Sequence, residues 1–331
     1  MFPDCENESD TCGDGSGSTT MNSISVVLCT YNRPKNLIEA LSSLNDMIVP
    51  EGIEWEVLVM DNNSSDDTAG KVKAFIAEGR SRFSYHFEPR QGKTYALNQG
   101  IEKSTGNIIA FTDDDAVVDA GWLRSIVNTF NQYDPDCVGG KVLPIWLNPR
   151  PGWLTEDLLK VLAILDLGDQ VFEFDWKTNR RMLFGVNFAF KKEFFVRNGL
   201  FETRLGSRGE DQEMFERLGR VGARAVYNPE IIVSHNVFPE RLKKSYFRRW
   251  YYAGGLMAPY LIDVRSRTLL FGIPRYVVRQ LLRSLKGFFG SVVTFDRHAM
   301  FLRELELVYF AAFFKRQLGS LLHGHRKGTA E

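Results

Sequence analysis

The first apolar block of the chain is Ile24-Ser25-Val26-Val27-Leu28-Cys29. It is short, β-branched and nearly continuous, the pattern of a strand covered on both faces. Asn32-Arg33-Pro34 then leads into a segment with Leu37, Leu41 and Leu44 at helical spacing. Trp55 to Met60 repeats the strand pattern and ends in the polar cluster Asp61 to Asp67. A helix around Lys71 to Ala77, a strand near Phe83 to Phe87, a helix over Thr94 to Glu102 and a strand over Ile108 to Thr112 follow. Strands alternating with helices of this length predict βαβ units and a mostly parallel, Rossmann-like sheet, hence an α/β fold.

In such sheets ligands bind beyond the carboxyl ends of the strands. Each predicted strand here ends in polar residues: Thr30-Tyr31-Asn32, Asp61-Asn62-Asn63 and Asp113-Asp114-Asp115. The Pro- and Trp-bearing stretch from Pro144 to Trp153 reads as a loop. Beyond Pro239 the alternation stops, and the remainder reads as helical, with breaks expected near Gly254-Gly255 and Gly272-Ile273-Pro274.

Composition is that of an ordinary globular chain, with 44% hydrophobic and 25% charged residues over 331 positions. The 41 basic and 41 acidic residues cancel and give no overall argument for nucleic acid. The cancellation hides a split, because Arg241 to Glu331 carries 17 Lys/Arg against 5 Asp/Glu. A basic segment of this kind suits an anionic surface. Residues 1–22 are acidic and Gly/Ser-rich and read as a disordered tail, with Met21 as an alternative start. Cys5, Cys12, Cys29 and Cys137 form neither a disulfide framework nor a zinc pattern. No uninterrupted apolar stretch of about 20 residues marks a transmembrane helix.

Asp113-Asp114-Asp115 carries the sharpest chemistry. In an extended segment residues i and i+2 share a face, which predicts that Asp113 and Asp115 converge. Paired carboxylates repel unless a cation sits between them, and hard oxygen ligands suit Mg2+ or Mn2+ shared with a substrate diphosphate. The plain alternative is a solvated turn. Gly209-Glu210-Asp211-Gln212-Glu213 precedes Met214, Phe215 and Leu218 and reads as a helix start. Its acids are caps, or Asp211 is a general base kept ionised by the helix N-terminus. Asp61 is a nucleobase or ribose acceptor, or an Asx turn. Lys93 offers a cation for phosphates. His235, after Ile231 to Ser234, is a metal ligand or a structural histidine, and Trp153 stacks on a sugar or anchors its loop.

Taken in order, SVVLCTYNRP, VLVMDNNSSDDT, GKTYALNQGI, IIAFTDDDAVVDAGWL, FGVNFAFKKEFF, NGLFETRLG, GEDQEMFERLGRVGA and YNPEIIVSH resemble family 2 glycosyltransferases from about Ile24 to His235. The resemblance implies a GT-A fold over residues 23–240 and an inverting, metal-dependent transfer from a nucleotide-diphospho-sugar, with UDP the favoured nucleotide. It implies that Thr30 and Asp61 hold the base and ribose. Asp113 touches the ribose or the metal, and Asp115 binds a divalent cation, Mn2+ or Mg2+, through the diphosphate. Lys93 and Asn98 line the donor pocket, Gly185 and Asn187 shape the sugar and acceptor site, and Asp211 with Glu210 beside it is the catalytic base. Tyr31, Asn32, Arg33, Asn63 and Asp114 complete the expected donor-binding set, and His235 joins Asp113 and Asp115 as a metal candidate. Processive members carry Gln-x-x-Arg-Trp and membrane spans. Here Arg249-Trp250 is present, but Tyr246 stands in place of the Gln, which points to transfer of one sugar.

Two rival classes are weaker. A sugar nucleotidyltransferase normally shows a Gly-rich, Arg/Lys-bearing loop after the first strand, where this chain has Thr30-Tyr31-Asn32-Arg33-Pro34. A catalytically inactive scaffold leaves Asp115 and Asp211 without a purpose.

Residues 241–331 form the second expected region. Arg275 to Lys286 interleaves apolar residues and cations at helical spacing, a basic amphipathic helix suited to a membrane interface, and Leu305 to Phe314 adds an apolar run. Packing onto the catalytic domain or a second subunit is the alternative. The expected setting is a cytoplasmic enzyme, peripheral on the inner face of a membrane, with a hydroxyl acceptor that membrane contact would suit if it is lipid-linked.

Overall fold

The computed structural model describes residues 22–178, 181–205, 209–261, 269–270 and 273–324. The expected disordered tail and the Cys5 and Cys12 positions therefore lie outside the described residues, apart from Asn22. The first half alternates as expected: β1 (Ser23–Thr30), α1 (Pro34–Asn45), β2 (Glu54–Asp61), α2 (Thr68–Ala77), β3 (Phe83–Phe87), α3 (Lys93–Lys103) and β4 (Ile108–Asp113). Then come β5 (Ala116–Val118), α4 (Trp122–Tyr133), β6 (Cys137–Trp146), β7 (Phe172–Glu173), β8 (Phe188–Lys191), α5 (Lys192–Asn198), α6 (Glu210–Val221) and β9 (Ala225–Val237). Three long helices follow: α7 (Lys244–Leu261), α8 (Arg275–Val293) and α9 (Arg297–Gly324).

The nine strands form one sheet in the order β3-β2-β1-β4-β8-β6-β9-β5, with β7 paired to β9. β3, β2, β1 and β4 are parallel, β8 runs against its neighbours, and β6 and β9 resume the parallel direction. The apolar strands are continuous because both faces are covered. Val26, Leu28, Val57, Val59, Ile108 and Ala110 pack on one side with α1, α2 and α4. Val27, Cys29, Leu58, Met60, Ile109 and Phe111 pack on the other with α3, α5 and α6. The period of two sorts neighbouring residues between two cores. Cys29 and Cys137 are buried free thiols.

Two sequence expectations change. Pro144 lies within β6, paired with His235 of β9, and is not part of a loop. Val142 donates its N–H to Leu165, away from β9. Pro144, two residues on, turns its missing donor toward that same side, where a proline costs the ladder nothing. Gly254 and Gly255 lie inside α7 and do not interrupt it. They let α9 approach, since a Cβ on Gly255 would stand 2.1 Å from the carbonyl oxygen of Tyr309.

The helical region is joined to the sheet by its own core. Leu154, Leu158, Leu162, Val237, Leu242 and Phe247 meet Phe301 and Leu305 of α9. Trp153 packs edge-on against Phe247 and Phe301, so it anchors its loop. Phe310 and Phe313 are buried with Val277 of α8 and Ala258 of α7. The apolar run from Leu305 to Phe314 is thus mainly helix-packing surface.

A Gly255→Ala substitution is expected to destabilise the protein by about 1–3 kcal/mol, because a backbone carbonyl cannot move aside as a side chain can. Thermal melting of the variant beside the wild type measures it.

Candidate active site

Parallel register places the functional side chains. Thr30 pairs with Asp61, and Cys29 with Asp113, so the ends of β1, β2 and β4 present their polar residues along one edge. Asp61 is buried at the end of β2, and both of its oxygens are engaged. Oδ1 accepts the backbone N–H of Ser64 at 2.9 Å, and Oδ2 accepts the Tyr85 hydroxyl at 2.7 Å. Asn32 and Asn63 take left-handed backbone conformations in the loops after β1 and β2. Those loops are tied together, since the Asn32 N–H reaches Ser64 Oγ at 2.9 Å and Ser65 N–H reaches Asn32 Oδ1 at 2.8 Å. Tyr31 is exposed beside them.

The three aspartates do not stay extended. The chain turns at Asp114 and Asp115 between β4 and β5. Asp113 and Asp115 therefore have different partners, and it is Asp114 and Asp115 that share a guanidinium. Arg33 Nη1 lies 3.2 Å from Asp114 Oδ1 and 3.0 Å from Asp115 Oδ2. Thr30 Oγ1 donates to Asp114 Oδ2 at 2.8 Å. Burial, reinforced by the neighbouring Asp115 charge, pushes the Asp114 carboxyl up to about 6.

Asp115 is almost fully buried and takes three side-chain partners. Besides Arg33, Arg241 Nη2 donates at 2.6 Å, and His235 Nε2 lies 3.0 Å from Oδ1. Burial alone would raise the Asp115 carboxyl. The His235 hydrogen bond and the Arg241 and Arg33 charges outweigh it and hold the group well below the usual carboxylate range. His235 arrives by register, because Ala116 pairs with it across β5 and β9, and Asn236 N–H donates to the Asp115 carbonyl.

The other nitrogen of His235 is as informative. Nδ1 lies 3.0 Å from the Leu162 carbonyl oxygen. A carbonyl only accepts, so Nδ1 carries the proton; the contact with Asp115 is a hydrogen bond when Nε2 is protonated as well, and in the neutral ring the Nε2 lone pair faces the carboxylate instead. Two acceptors facing each other favour a cation between or beside them, and Arg241 Nη1 stands 3.3 Å from Nε2 here. This is the tautomer a metal ligand needs. Asp113 does not join the pair. Its Oδ1 accepts from Lys93 Nζ at 2.7 Å. Among the described residues no group of three or more His, Cys, Asp or Glu could hold an ion by itself.

Lys93 links the aspartate turn to α6, with Glu210 Oε1 3.6 Å away. Burial would lower the Lys93 ammonium, but the charges of Asp113 and Glu210 carry it well above its ordinary value. The two acids at the start of α6 are thereby separated. Glu210 is buried facing Lys93. Asp211 accepts the N–H of Gln212 at 2.8 Å and that of Gly185 at 3.5 Å. Burial, with Glu210 alongside, pushes the Asp211 carboxyl up to about 6. It is thus a basic carboxylate that is still mainly ionised at neutral pH, although burial offsets part of the helix-terminus effect expected from sequence. Cys29, under this group, is an inert thiol, pushed up by burial.

Two expected donor-site residues turn their side chains elsewhere. Asn98 exchanges two hydrogen bonds of 2.9 Å with the backbone of Phe201 and clamps α3 to that segment. Asn187 is buried, donating to the Lys141 and Ile231 carbonyls and accepting from the Trp122 indole, each at 2.8 Å. Its neighbour Gly185 does face the site, since a Cβ there would meet Asp211 at 3.4 Å. Sequence reasoning missed Arg241 and Tyr85. Arg241 was counted only as the first cation of the basic region. Tyr85 sits on a strand whose alternation carries no mark of a hydroxyl partner.

Comparisons with known proteins agree with this architecture. The family described as Glycosyl transferase family 2 matches residues 25–198, more than half of the chain. A glucosyl-dolichyl phosphate glucuronosyltransferase of Haloferax volcanii is 25% identical, over 66% of this chain and 70% of that protein. The succinoglycan biosynthesis protein ExoM of Rhizobium meliloti is 29% identical, over 71% and 75%. Glycosyltransferase AglE of Haloferax volcanii is 27% identical, over 88% and 93%. Among solved structures, the mannosyltransferase PcManGT of Pyrobaculum calidifontis, in complex with GDP-Man and Mn2+, aligns with a TM-score of 0.60 at 19% identity, over 89% of this chain and 86% of that one. S. aureus TarS aligns with a TM-score of 0.51 at 19% identity, over 72% of this chain and 43% of that longer one. The fold is the GT-A glycosyltransferase fold. With the sheet order, the polar strand ends and the family match all in agreement, this chain belongs to glycosyl transferase family 2 and is a glycosyltransferase enzyme.

Proposed function

We propose that the chain transfers a single sugar from a nucleotide-diphospho-sugar to an acceptor hydroxyl with inversion, Asp211 acting as the base. The observation that carries this reading is the separation of the two acids at the start of α6. Glu210 faces Lys93, whereas Asp211 is oriented by the Gly185 N–H with a carboxyl raised to about 6. A base of that strength is ionised at neutral pH and accepts a proton as the acceptor oxygen becomes nucleophilic. The acceptor oxygen attacks the anomeric carbon from the face opposite the nucleotide. The bond to the diphosphate oxygen breaks with its electron pair, and the acceptor proton passes to Asp211.

Charge developing on the departing diphosphate falls to the other end of the site, where Arg33 and Arg241 converge on Asp115. Asp115 and His235 would hold a divalent cation, Mn2+ or Mg2+, which would supply positive charge toward the substrate diphosphate. When bound, such an ion neutralises charge on the leaving group. The ion pair of Asp113 with Lys93 favours a contact of Asp113 with the ribose over one with the ion. Thr30, Tyr31, Asn32, Asp61 and Asn63 line the base end. UDP is the favoured nucleotide on the family resemblance, whereas PcManGT was solved with GDP-Man. Transfer of one sugar is supported by Tyr246 in place of the processive Gln, and among the described residues no helix is long and apolar enough to cross a membrane. The names of two relatives, the dolichyl phosphate enzyme and a Campylobacter jejuni undecaprenol-linked glucosyltransferase, support a lipid-linked acceptor.

Asp211→Asn is expected to lower kcat by about 10²–10⁴ with nucleotide affinity unchanged. A steady-state assay beside calorimetry separates the two, and a variant as active as wild type removes Asp211 from the role. Because the Asp211 carboxyl is raised to about 6, its base form is present above that pH and lost below it. The kcat/KM profile is therefore expected to fall about tenfold per unit on the acid side of that value, with that limb missing in the Asn variant.

Titration with UDP, GDP and dTDP, with and without Mn2+, tests the other end. One nucleotide is expected to bind more tightly with the ion, and Asp115→Ala and His235→Ala are each expected to lose about tenfold or more of that gain. Binding that ignores a chelator rejects the cation.

A further inference from the structure

The structure leaves one helix face without a protein partner. On α8, Val277, Ser284 and Ser291 are buried, and Ser284 Oγ donates to Glu306 of α9 at 2.6 Å. Opposite them lie seven exposed residues, Arg275, Arg279, Leu282, Arg283, Lys286, Phe289 and Val293, with exposed Gln280 and Val292 outside this group. At 3.6 residues per turn the seven fall within about a third of the helix circumference, in one stripe. Its first half is cationic and its second half apolar. Neither α8 nor the turn after it contains an acid before Asp296. Among the described residues, none of the four cations has an ion-pair partner.

The apolar end is unusual in degree. Phe289 is 66% exposed, Val293 78% and Phe295 86%, and Leu282, among the cations, 61%. Scattered exposed apolar residues need no explanation, but a contiguous group beside a charged stripe marks an interaction site. Phe295 also holds a left-handed backbone, φ 55°, which is strained for a bulky residue and aims it outward from the turn. A slot of about 280 Å3 at the same end is lined by Lys244, Phe288, Arg297, Met300, Phe301 and Glu304, the last paired to Arg248, so its lining carries two cations and one acid.

We propose that this face docks on an anionic bilayer surface, with Arg279, Arg283 and Lys286 at the headgroups and Phe289, Val293 and Phe295 inserted between them. Charge complementarity selects the occupant. A second copy of the chain meeting the same face would stack cation on cation, whereas anionic lipid answers the cations and the apolar side chains together. The sequence pattern placed the membrane helix at Arg275 to Lys286. In the fold most apolar residues of that stretch pack inward, and insertion moves to the end of α8 and its turn. The proposal is independent of the transferase reading.

Sedimentation with sucrose-loaded vesicles tests it without donor or acceptor. Wild type is expected to pellet with phosphatidylcholine vesicles containing phosphatidylglycerol, less so in high salt, and not with phosphatidylcholine alone. Phe289→Ser/Val293→Ser/Phe295→Asn and Arg279→Gln/Arg283→Gln/Lys286→Gln are each expected to lower the bound fraction about tenfold or more, with unchanged thermal melting. Either variant suffices if the other melts early. The proposal is overturned if wild type stays in solution, if it binds neutral vesicles equally, or if folded variants bind as wild type does. Light scattering that shows a wild-type dimer lost in the variants, with vesicle binding intact, makes the face a protein interface and also overturns it.

Discussion

The charge on Asp115 is the constraint around which the site is arranged. A carboxylate with 2% of its surface exposed is untenable unless cations and donors compensate it. Four segments meet that need: the loop after β1 through Arg33, the end of β9 through His235, the turn before α7 through Arg241, and the Leu162 carbonyl that fixes the histidine ring. His235 and Arg241 are six residues apart, and the other groups are distant from them and from each other in sequence. The sheet order, the β5 pairing and the docked helices all serve to bring them to one oxygen pair.

A second charge balance sits at the other end and divides labour between adjacent acids. Lys93 draws Glu210 and Asp113 to itself and pairs with both. Asp211, one residue along α6, faces Gly185, where there is no side chain to occlude it. Two carboxylates one peptide apart thereby acquire different chemistry from their surroundings alone.

Much of this was legible from sequence because parallel strands declare themselves. Continuous β-branched runs ending in Thr30, Asp61 and Asp113 located both the sheet and the edge that carries the site. Positions determined by turns were less legible. The spacing rule for extended chains assigns Asp113 and Asp115 to one face, but the backbone reverses at Asp114-Asp115. Residues that meet through tertiary packing were least legible. Arg241 looks like any other surface cation until the short turn after β9 aims it at Asp115, and Gly254-Gly255 looks like a helix break until α9 lies against it. Asn98 and Asn187 carried the family pattern, yet their amides support the walls of the site through backbone carbonyls and N–H groups.

Leu162 has two faces with different duties. Its side chain is buried in the core that joins the helices α7 and α9 to the sheet, while its carbonyl holds His235. The boundary that composition suggests near residue 240 is therefore not a seam along which the enzyme comes apart. A chain cut there would lose Arg241 itself and the apolar cover over the segment that sets the histidine tautomer. Any exchange of the helical region for that of another chain has to carry the 154–165 segment and the start of α7 together as one block.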